Sequence, residues 1–194
     1  MELLFCSSNL HKVEEIQSLL PSWISVAPMR DQGITEEITE DGHTFVENAL
    51  LKARYVHRRT GLDVFADDSG LEVESLGGAP GIYSARYAGI GASSEMNMNK
   101  LLESMTGIER RGARFVCVIA LIYKGKEFVF EGFVEGQIRR VRSGNGGFGY
   151  DPLFVPKGYT NTFAELSPSI KNQISHRALA IQKMVQHLEQ LPAQ

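Results

Sequence analysis

The spacing of apolar residues along the chain predicts an alternation of strands and helices. Residues 2–7 form a short apolar run that predicts a strand, and the polar residues after it lead into an amphipathic helix that reaches about Leu20. On this helix the apolar residues recur on one side, as Val13, Ile16, Leu19 and Leu20. A strand that passes directly into a helix is typical of an α/β layer.

A second helix is predicted after an acidic segment, Gly33–Gly42, which we expect to form a short extended piece and a loop. Thr44 and Glu47 have the spacing of a capping box, and Gly61 stands where a C-terminal cap is expected. The apolar residues between them share one helical face, namely Phe45, Ala49, Ala53 and Val56. This helix returns the chain to a further strand.

The second half of the chain predicts a mixed sheet. Residues 113–123 are apolar on both alternations, which is typical of a strand buried on both faces. Lys124-Gly125-Lys126 predicts a tight turn into residues 128–134, so these two strands are expected to pair antiparallel. Two more helices are predicted, one with Met96, Leu101, Leu102 and Met105, and one from Ser167 to Leu188 that buries Ile174, Ala178, Ile181, Val185 and Leu188.

Length and composition fit a globular protein. The chain has 194 residues, of which 43% are hydrophobic, enough for the core of one large domain or of two intimately packed lobes. A net charge of −3 argues against a broad basic face for nucleic acid. Cys6 and Cys117 are predicted to be free thiols. Because the N-terminus lacks a signal-peptide pattern and no apolar run approaches the ~20 residues of a membrane span, we expect a cytoplasmic protein without a membrane partner.

The turn after the first strand is a candidate anion site. Backbone N–H groups at the start of a helix point at a bound ligand, and the helix dipole favours negative charge there. The structural alternative is that Ser8 or Asn9 is simply the N-cap of the helix and that Lys12 is a surface lysine.

Residues 67–70 read Asp-Asp-Ser-Gly and place two adjacent carboxylates between apolar strand residues. The same residue types also suit a solvated turn, because Asp and Ser bond their own backbone and Gly accepts positive φ. The other polar segments of the chain favour a functional site over a turn.

Two of these segments lie near the C-terminus. Residues 144–152 surround two aromatic residues with glycines and contain Asp151, which suits close approach to a flat ligand, although glycine-rich loops more often only turn the chain. Lys171, His176 and Arg177 lie near the start of the last predicted helix, where basic residues oppose the helix dipole. The alternatives are a compensating anion and a solvated cluster.

Taken together, the carboxylates and cations suit a magnesium triphosphate. The carboxylates are Glu40, Asp67 and Asp68, and the cations are Lys12, Lys171 and Arg177. Mg²⁺ usually takes one or two protein carboxylates, several waters and substrate oxygens. The sequence therefore predicts a nucleotide site with a divalent metal.

Six ordered motifs carry a resemblance to a known family. They are Ser8-Asn9 with Lys12, residues 44–49 with Lys52-Ala53, residues 66–71, Pro80-Gly81 with residues 84–89, residues 147–152, and Lys171-Asn172 with residues 174–177. Over essentially the whole chain the sequence resembles the inosine triphosphate pyrophosphatases, also called XTP/dITP diphosphatases. The first motif reads Ser-Ser-Asn where many members have Thr-Gly-Asn.

The resemblance implies a homodimeric α/β protein, with a long mixed sheet, flanking helices and two lobes around a central cleft. It implies hydrolysis of ITP, dITP and XTP to the monophosphate and pyrophosphate. It also implies Mg²⁺ held by Glu40 and Asp68, with Asp68 as the proton acceptor too. The implied substrate contacts come from Ser7, Ser8, Asn9, Leu10, His11 and Lys12 on the triphosphate, and from Ser69, Phe148, Gly149, Tyr150, Asp151, Lys171, His176 and Arg177.

Residue chemistry leaves the proton acceptor open. A metal ligand is a weak base, so Asp67 or Glu47 could accept the proton instead of Asp68. For the base, we expect Phe148 to stack on the purine and His176 or Arg177 to donate to its O6 atom. A pyrophosphatase for dTTP or UTP, a nucleotide sensor without hydrolysis and a nucleic-acid-binding protein are the weaker alternatives.

Overall fold

The computed structural model of the protein describes residues 1–7 and 9–191. Its strands are β1 Glu2–Phe5, β2 Ser25–Pro28, β3 Val64–Val73, β4 Gly112–Tyr123, β5 Lys126–Ile138 and β6 Phe154–Pro156. Its helices are α1 Leu10–Leu19, α2 Phe45–Thr60, α3 Ser94–Ser104, α4 Pro168–Ile174 and α5 His176–Glu189. No helix in this part of the chain is long and apolar enough to cross a membrane.

The strands form one mixed sheet in the order β2-β1-β3-β4-β5-β6. β1 runs parallel to both β2 and β3, with Leu3 opposite Val26 and Phe5 opposite Phe65, whereas β6 runs antiparallel to β5. The predicted α/β class with a mixed sheet and flanking helices is therefore confirmed.

The hairpin between β4 and β5 is also as predicted. Its turn consists of Lys124 and Gly125, whose φ angles are 49° and 72°. Positive φ at both central residues is the pattern of a two-residue turn whose twist matches the flanking strands. The Lys124 backbone N–H donates to Asp63 Oδ1 at 2.7 Å, which fixes the turn from outside.

The chain forms two compact units. The first contains Met1–Asp68, Cys117–Gly132 and the segment from Arg177 onward, and the second contains Ser69–Val116 and Phe133–His176. The core of the first unit includes Leu3, Phe5, Ile16, Phe65, Ile119, Leu121, Ile181 and Met184. The core of the second includes Leu71, Val73, Leu101, Phe115, Ile138, Leu153, Phe154 and Phe163. The single domain of two intimately packed lobes stays a prediction.

The capping residues predicted for α2 are in place. Thr44 Oγ1 accepts the Glu47 backbone N–H at 3.1 Å, and Glu47 Oε2 accepts the His43 backbone N–H at 2.6 Å. At the other end Gly61, at φ 68°, donates its N–H to the His57 carbonyl at 2.8 Å. The carboxylate of Glu47 thus closes the box one residue earlier than the ideal motif.

Two predictions about the strands need correction. The first strand ends at Phe5, and the segment Gly33–Gly42 contains no strand. Two short strands, β2 and β6, were not predicted, because three or four residues carry too little pattern to separate them from loops.

The single helix predicted from Ser167 to Leu188 is two helices. Ser175 interrupts it with extended backbone, at φ −69° and ψ 152°. α4 begins at the Ser167 cap and at Pro168, while α5 restarts at His176. Arg177 therefore lies in the first turn of a new helix.

The two cysteines are buried free thiols, as predicted. Burial raises the pKa of the Cys6 thiol and of the Cys117 thiol well above the ordinary value, so neither is a nucleophile in this fold.

Candidate functional site

The polar turn after β1 caps the first helix. The Asn9 side chain accepts the Lys12 backbone N–H through Oδ1 at 3.3 Å, and Ser7 Oγ accepts the Asn9 N–H at 3.2 Å. The capping alternative is therefore confirmed for Asn9, but Lys12 is not a surface lysine, because it is half-buried and its Nζ lies 3.1 Å from Asp67 Oδ1. Ser8 lies outside the described residues, as do the side chains of Leu10 and His11, so their predicted phosphate contacts stay predictions.

The Asp-Asp-Ser-Gly stretch is not a turn. β3 passes through it without interruption, and Asp67 and Asp68 are 1% and 5% exposed. Ser69 follows within the strand and is half-buried. Because successive side chains of a strand point to opposite faces, the two carboxylates enter different surroundings.

Asp67 is held by two cations. Lys12 Nζ lies 3.1 Å from Asp67 Oδ1, and the Arg177 guanidinium donates to Oδ2 through Nη2 at 3.2 Å and Nε at 3.4 Å. Burial by itself would raise the pKa of Asp67, but the charges of Lys12, Arg177 and Lys52 outweigh it and hold that pKa well below the usual range. Asp67 is therefore ionised and committed to these partners.

Arg177 also explains the basic start of the last helix. Its Nη1 donates to Glu15 of α1, and the side chain is 1% exposed. Burial lowers the pKa of this guanidinium, whereas Asp67 and Glu15 raise it by more, so the net shift is upward. The anion that compensates the helix dipole here is thus supplied by protein carboxylates.

Asp68 has a different set of neighbours. Its Oδ2 accepts the Asn48 side-chain Nδ2–H at 3.1 Å, and its Oδ1 lies 3.8 Å from Lys52 Nζ. Burial raises the pKa of Asp68, Lys52 lowers it and Glu40 raises it, with a net result of about 6. Asp68 is therefore the weaker acid of the adjacent pair.

Lys52 is the cation between Asp68 and Glu40. Its Nζ donates to Glu40 Oε1, and the residue is only 7% exposed. Burial lowers the pKa of Lys52, but Asp68, Asp67 and Glu40 raise it further, so the ammonium is retained. Glu40 and Asp68 thus face one shared positive charge.

The same pair of carboxylates fits a hard divalent cation. Carboxylate oxygens that hold an ammonium between them offer the ligand type and number that Mg²⁺ takes from proteins. Within residues 1–7 and 9–191, no group of three or more His, Cys, Asp or Glu residues could hold a metal ion. A metal at Glu40 and Asp68 would accordingly complete its coordination with water and substrate oxygens.

In the second unit, the glycine-rich loop is built around Asp151. Asp151 Oδ2 accepts the Phe148 backbone N–H at 2.9 Å and the Lys171 ammonium at 2.8 Å, and the residue is 3% exposed. Gly147 has φ 70°, and a Cβ there would lie 1.9 Å from the same oxygen. The Lys171 Nζ also lies 5.2 Å from the centre of the Phe148 ring.

His176 is held by aromatic stacking. Its ring lies 4.8 Å from that of Phe115, with an interplanar angle of 11°, and the residue is 6% exposed. Phe115 in turn contacts Phe154 and Phe163, whose ring centres lie 4.7 Å and 6.0 Å away. We call the set Phe115, Phe148, Asp151, Phe154, Phe163, Lys171 and His176 the aromatic cluster.

Tyr150 is buried in the core of the second unit. Its hydroxyl donates to the Ser84 carbonyl at 2.8 Å, and burial raises the pKa of this phenol. Gly149 beside it has φ 64° and open space around its missing Cβ. The substrate contacts predicted for these two residues stay predictions.

Several residues of the site were not predicted. Asn48 and Lys52 stand four residues apart on the otherwise apolar face of α2, and two polar residues on such a face are a usable signal. Glu47, which is exposed, points away from them, as its position on the helix requires. Glu15 and Phe115 carry no comparable signal, because their roles depend on contacts with residues distant in sequence.

The first-unit residues form what we call the carboxylate cluster, consisting of Lys12, Glu15, Glu40, Asn48, Lys52, Asp67, Asp68 and Arg177. Fixed cations around buried carboxylates can bind the oxygens of a metal–phosphate ligand and position a water beside Asp68. The aromatic cluster offers ring faces and one charged amine, a chemistry that suits a flat heterocycle.

Known proteins resemble this chain over almost its full length. Residues 3–187 match the model of the Ham1 family. A Flavobacterium johnsoniae protein named dITP/XTP pyrophosphatase is 46% identical over 185 residues, which cover 95% of this chain and 96% of that protein. A Bacillus subtilis protein of the same name is 45% identical over 192 residues, covering 97% of each.

Solved structures of Ham1 proteins also match this chain over almost its full length. The structure of a HAM1 protein from Coxiella burnetii has a TM-score of 0.90 and 40% identity, and the match covers 97% of this chain and 98% of that one. The Staphylococcus aureus Ham1 protein has a TM-score of 0.89 with the same identity and coverage.

Proposed function

This chain belongs to the Ham1 family, and on that premise we propose that it hydrolyses the nonstandard purine nucleoside triphosphates ITP, dITP and XTP to the monophosphate and pyrophosphate. The proposal is carried by the match over nearly the full chain to relatives named dITP/XTP pyrophosphatase, and the carboxylates of Asp68 and Glu40 beside Lys52 are consistent with it. Removal of deaminated purines from the nucleotide pool is the role that such a reaction serves.

The carboxylate cluster is proposed to bind the triphosphate and its metal. Mg²⁺ bound to Glu40 and Asp68 would neutralise phosphate charge and lower the pKa of a nearby water. Lys12 lies at the start of α1, where backbone N–H groups and the helix dipole both favour an anion. In the proposal Lys12 and the turn of residues 7–12 take up the charge of the leaving pyrophosphate.

Asp68 is the proposed proton acceptor. Asp67 is disfavoured, because Lys12 and Arg177 hold its pKa well below the usual range and occupy its oxygens. Glu47 is disfavoured, because it is exposed and accepts the His43 backbone N–H. Asp68 is the candidate that remains, and the family resemblance implies the same residue.

The aromatic cluster is proposed to bind the base. Phe148 would stack on the purine, while Lys171 and Asp151 hold the loop that carries it. Hypoxanthine and xanthine present an N1–H donor and an O6 acceptor, and adenine reverses both. A site in which His176 donates to O6 would therefore leave polar groups unpaired against adenine, which can lower its turnover by roughly 10⁴.

We also propose that the protein is a cytoplasmic homodimer, which rests on the family resemblance. Light scattering coupled to size-exclusion chromatography tests the oligomeric state. A mass that stays at one chain across the accessible protein concentrations would contradict it.

A magnesium-dependent assay that separates pyrophosphate from orthophosphate tests the reaction. We expect pyrophosphate from ITP, dITP and XTP, and far less turnover of ATP, GTP, dTTP and UTP. Asp68→Asn is expected to lower kcat by at least about 10²-fold, since general bases contribute that much or more. Orthophosphate release, equal turnover of ATP or a preference for dTTP or UTP would reject the proposal.

A further inference from the structure

One side-chain amide in the first unit contacts both segments that carry the proposed metal ligands. Asn48 is fully buried on α2. Its Nδ2 donates to Asp68 Oδ2 at 3.1 Å, and its Oδ1 accepts the backbone N–H of Gly42 at 2.9 Å. Gly42 lies two residues after Glu40, so the amide joins β3 to the loop that bears Glu40.

The direction of this amide is fixed by its partners. A backbone N–H can only donate, so the oxygen of Asn48 must face Gly42. The nitrogen is then left for Asp68, whose ionised carboxylate can only accept. An asparagine meets both demands, whereas aspartate has no donor for Asp68 and alanine has neither group.

The loop approaches α2 as closely as a backbone without a side chain permits. A Cβ added at Gly42 would lie 2.6 Å from Asn48 Oδ1 and 2.8 Å from Glu47 Cβ. Contacts under 3.0 Å are far shorter than normal packing allows, so any larger residue must displace either the loop or the Asn48 side chain. Gly42 and Asn48 together therefore determine where the Glu40 segment lies against the helix.

We propose that Asn48 is a positioning residue for the metal site: it holds the carboxylates of Glu40 and Asp68 at the separation that one divalent cation requires. This inference rests on the proposed function, which assigns the metal to those two residues. Asn48 itself does not touch the metal. Residues that orient metal ligands in this way typically change metal affinity by about 10–100-fold when they are removed.

The test measures metal binding without turnover. Mn²⁺ prefers the same oxygen ligands as Mg²⁺ and gives an electron paramagnetic resonance signal when free, so its binding to the intact protein can be titrated directly. Asn48→Ala removes both contacts of the amide, while Gly42→Ala keeps the amide in the chain but forces the loop and the Asn48 side chain apart. We expect Asn48→Ala to weaken Mn²⁺ binding by about 10–100-fold, and Gly42→Ala to weaken it in the same direction.

A matched control is available in α3 of the second unit. Asn97 is 4% exposed, donates to the Ala85 carbonyl at 3.0 Å and accepts the Ala88 N–H at 2.7 Å. Asn97→Ala thus removes an equally buried amide with two backbone partners. We expect it to lower thermal stability about as much as Asn48→Ala does, while Mn²⁺ affinity stays within twofold of the unmodified protein.

Kinetics supply a second readout. Asn48→Ala is expected to raise the Mg²⁺ concentration for half-maximal activity, while kcat at saturating Mg²⁺ recovers most of its value. A merely structural defect would instead lower the fraction of active protein at every Mg²⁺ concentration. If Asn48→Ala does not fold, as judged by circular dichroism, Gly42→Ala carries the same test.

The outcomes separate this inference from the proposed function. Unchanged Mn²⁺ affinity in Asn48→Ala, or an equal loss in Asn97→Ala, overturns the positioning role. Glu40→Gln and Asp68→Asn show whether the metal is assigned correctly. If these two bind Mn²⁺ as well as the unmodified protein, the metal site itself is wrong; if they lose it and Asn48→Ala does not, only the positioning role is wrong.

Discussion

The carboxylate cluster and the aromatic cluster hold buried charges in different ways. In the carboxylate cluster, Asp67 is bound by two cations from two separate helices. Lys12 of α1 contacts one carboxylate oxygen, and Arg177 of α5 contacts the other. In the aromatic cluster, Asp151 pairs with one lysine and one backbone N–H, and aromatic rings surround that lysine.

The difference shows how each cluster can fail. A charge network drawn from distant segments is strongly coupled to folding, because removal of one member leaves buried charges uncompensated. A loop held by one ion pair and by ring contacts depends more on local backbone geometry. Substitutions in the first cluster should therefore change global stability, and those in the second should change loop conformation and ligand choice.

The largest effect is expected from Asp67→Asn. The substitution keeps the shape but leaves Lys12 and Arg177 without their shared anion, and breaking a buried pair in this way costs about 3–5 kcal/mol. Urea denaturation followed by circular dichroism measures the free energy of unfolding. Glu127→Gln, which breaks an exposed pair with Arg54, is the control and should change it by less than about 1 kcal/mol. Equal losses in the two variants would contradict the role of burial.

The same carboxylate should make stability depend on acidity. The pKa of Asp67 is lower in the folded chain than its unfolded value of about 3.9, so the unfolded state binds more protons between the two values. The contribution of Asp67 is therefore complete above about pH 4 and is lost as the pH falls through the folded pKa. Asp67→Asn should remove this part of the slope of unfolding free energy against pH. If the slope is unchanged in the variant, the pH dependence of the unfolding free energy comes from other groups.

The aromatic cluster is tested more locally by its glycines. Gly147→Ala forces a Cβ against Asp151 Oδ2 and adds a side chain at positive φ, whereas Gly149→Ala meets open space and bears only the conformational cost. A non-glycine residue at such φ costs about 1–3 kcal/mol. We expect both variants to lose stability within this range and Gly147→Ala to lose more. Denaturant midpoints of the two proteins measure the difference, and equal midpoints would mean that the Asp151 contact is unimportant.

The smallest effect is expected from the ring that supports His176. Phe115→Leu removes a stacked contact of the kind worth about 0.5–1.5 kcal/mol, which corresponds to roughly a 2–10-fold change in a rate ratio. The ratio of kcat/KM for XTP to that for ATP should fall by this factor, because adenine lacks the O6 acceptor proposed for His176. Phe128→Leu removes a ring contact with His187 in the first unit and should leave the ratio unchanged. A fall in both variants would indicate a general loss of packing.

Local signals in the sequence were enough for elements with strong patterns. The cap of α2, the β4 strand and the Lys124-Gly125 turn each follow from a few neighbouring residues, and the structure contains all three. β2 and β6 could not be predicted in this way, since strands of three or four residues are stabilised by their pairing partners. The break at Ser175 was missed because no glycine or proline marks it. Ser167 and Pro168, by contrast, are a recognisable helix start.

The same distinction between local and long-range information applies to the candidate site. The candidate carboxylates and cations could be identified from residue type and motif, but which cation binds which carboxylate could not. Arg177 and Asp67 are separated by 110 positions, and Lys12 and Asp67 by 55. Such pairings are a property of the folded chain, and they bind Asp67 to Lys12 and Arg177, which leaves Asp68 as the proposed proton acceptor.

Because β3 runs without interruption through Asp67 and Asp68, the number of residues in this strand determines which face of the sheet each aspartate occupies. Side-chain direction alternates along a strand, so a single inserted or deleted residue before Asp67 would exchange the faces of every position after it. The aspartate paired with Lys12 and Arg177 would then face Asn48 and Lys52, although both acids would still be present. Versions of this protein should therefore tolerate exchanges between apolar residues at 64–66 better than any change in the number of residues before Asp67.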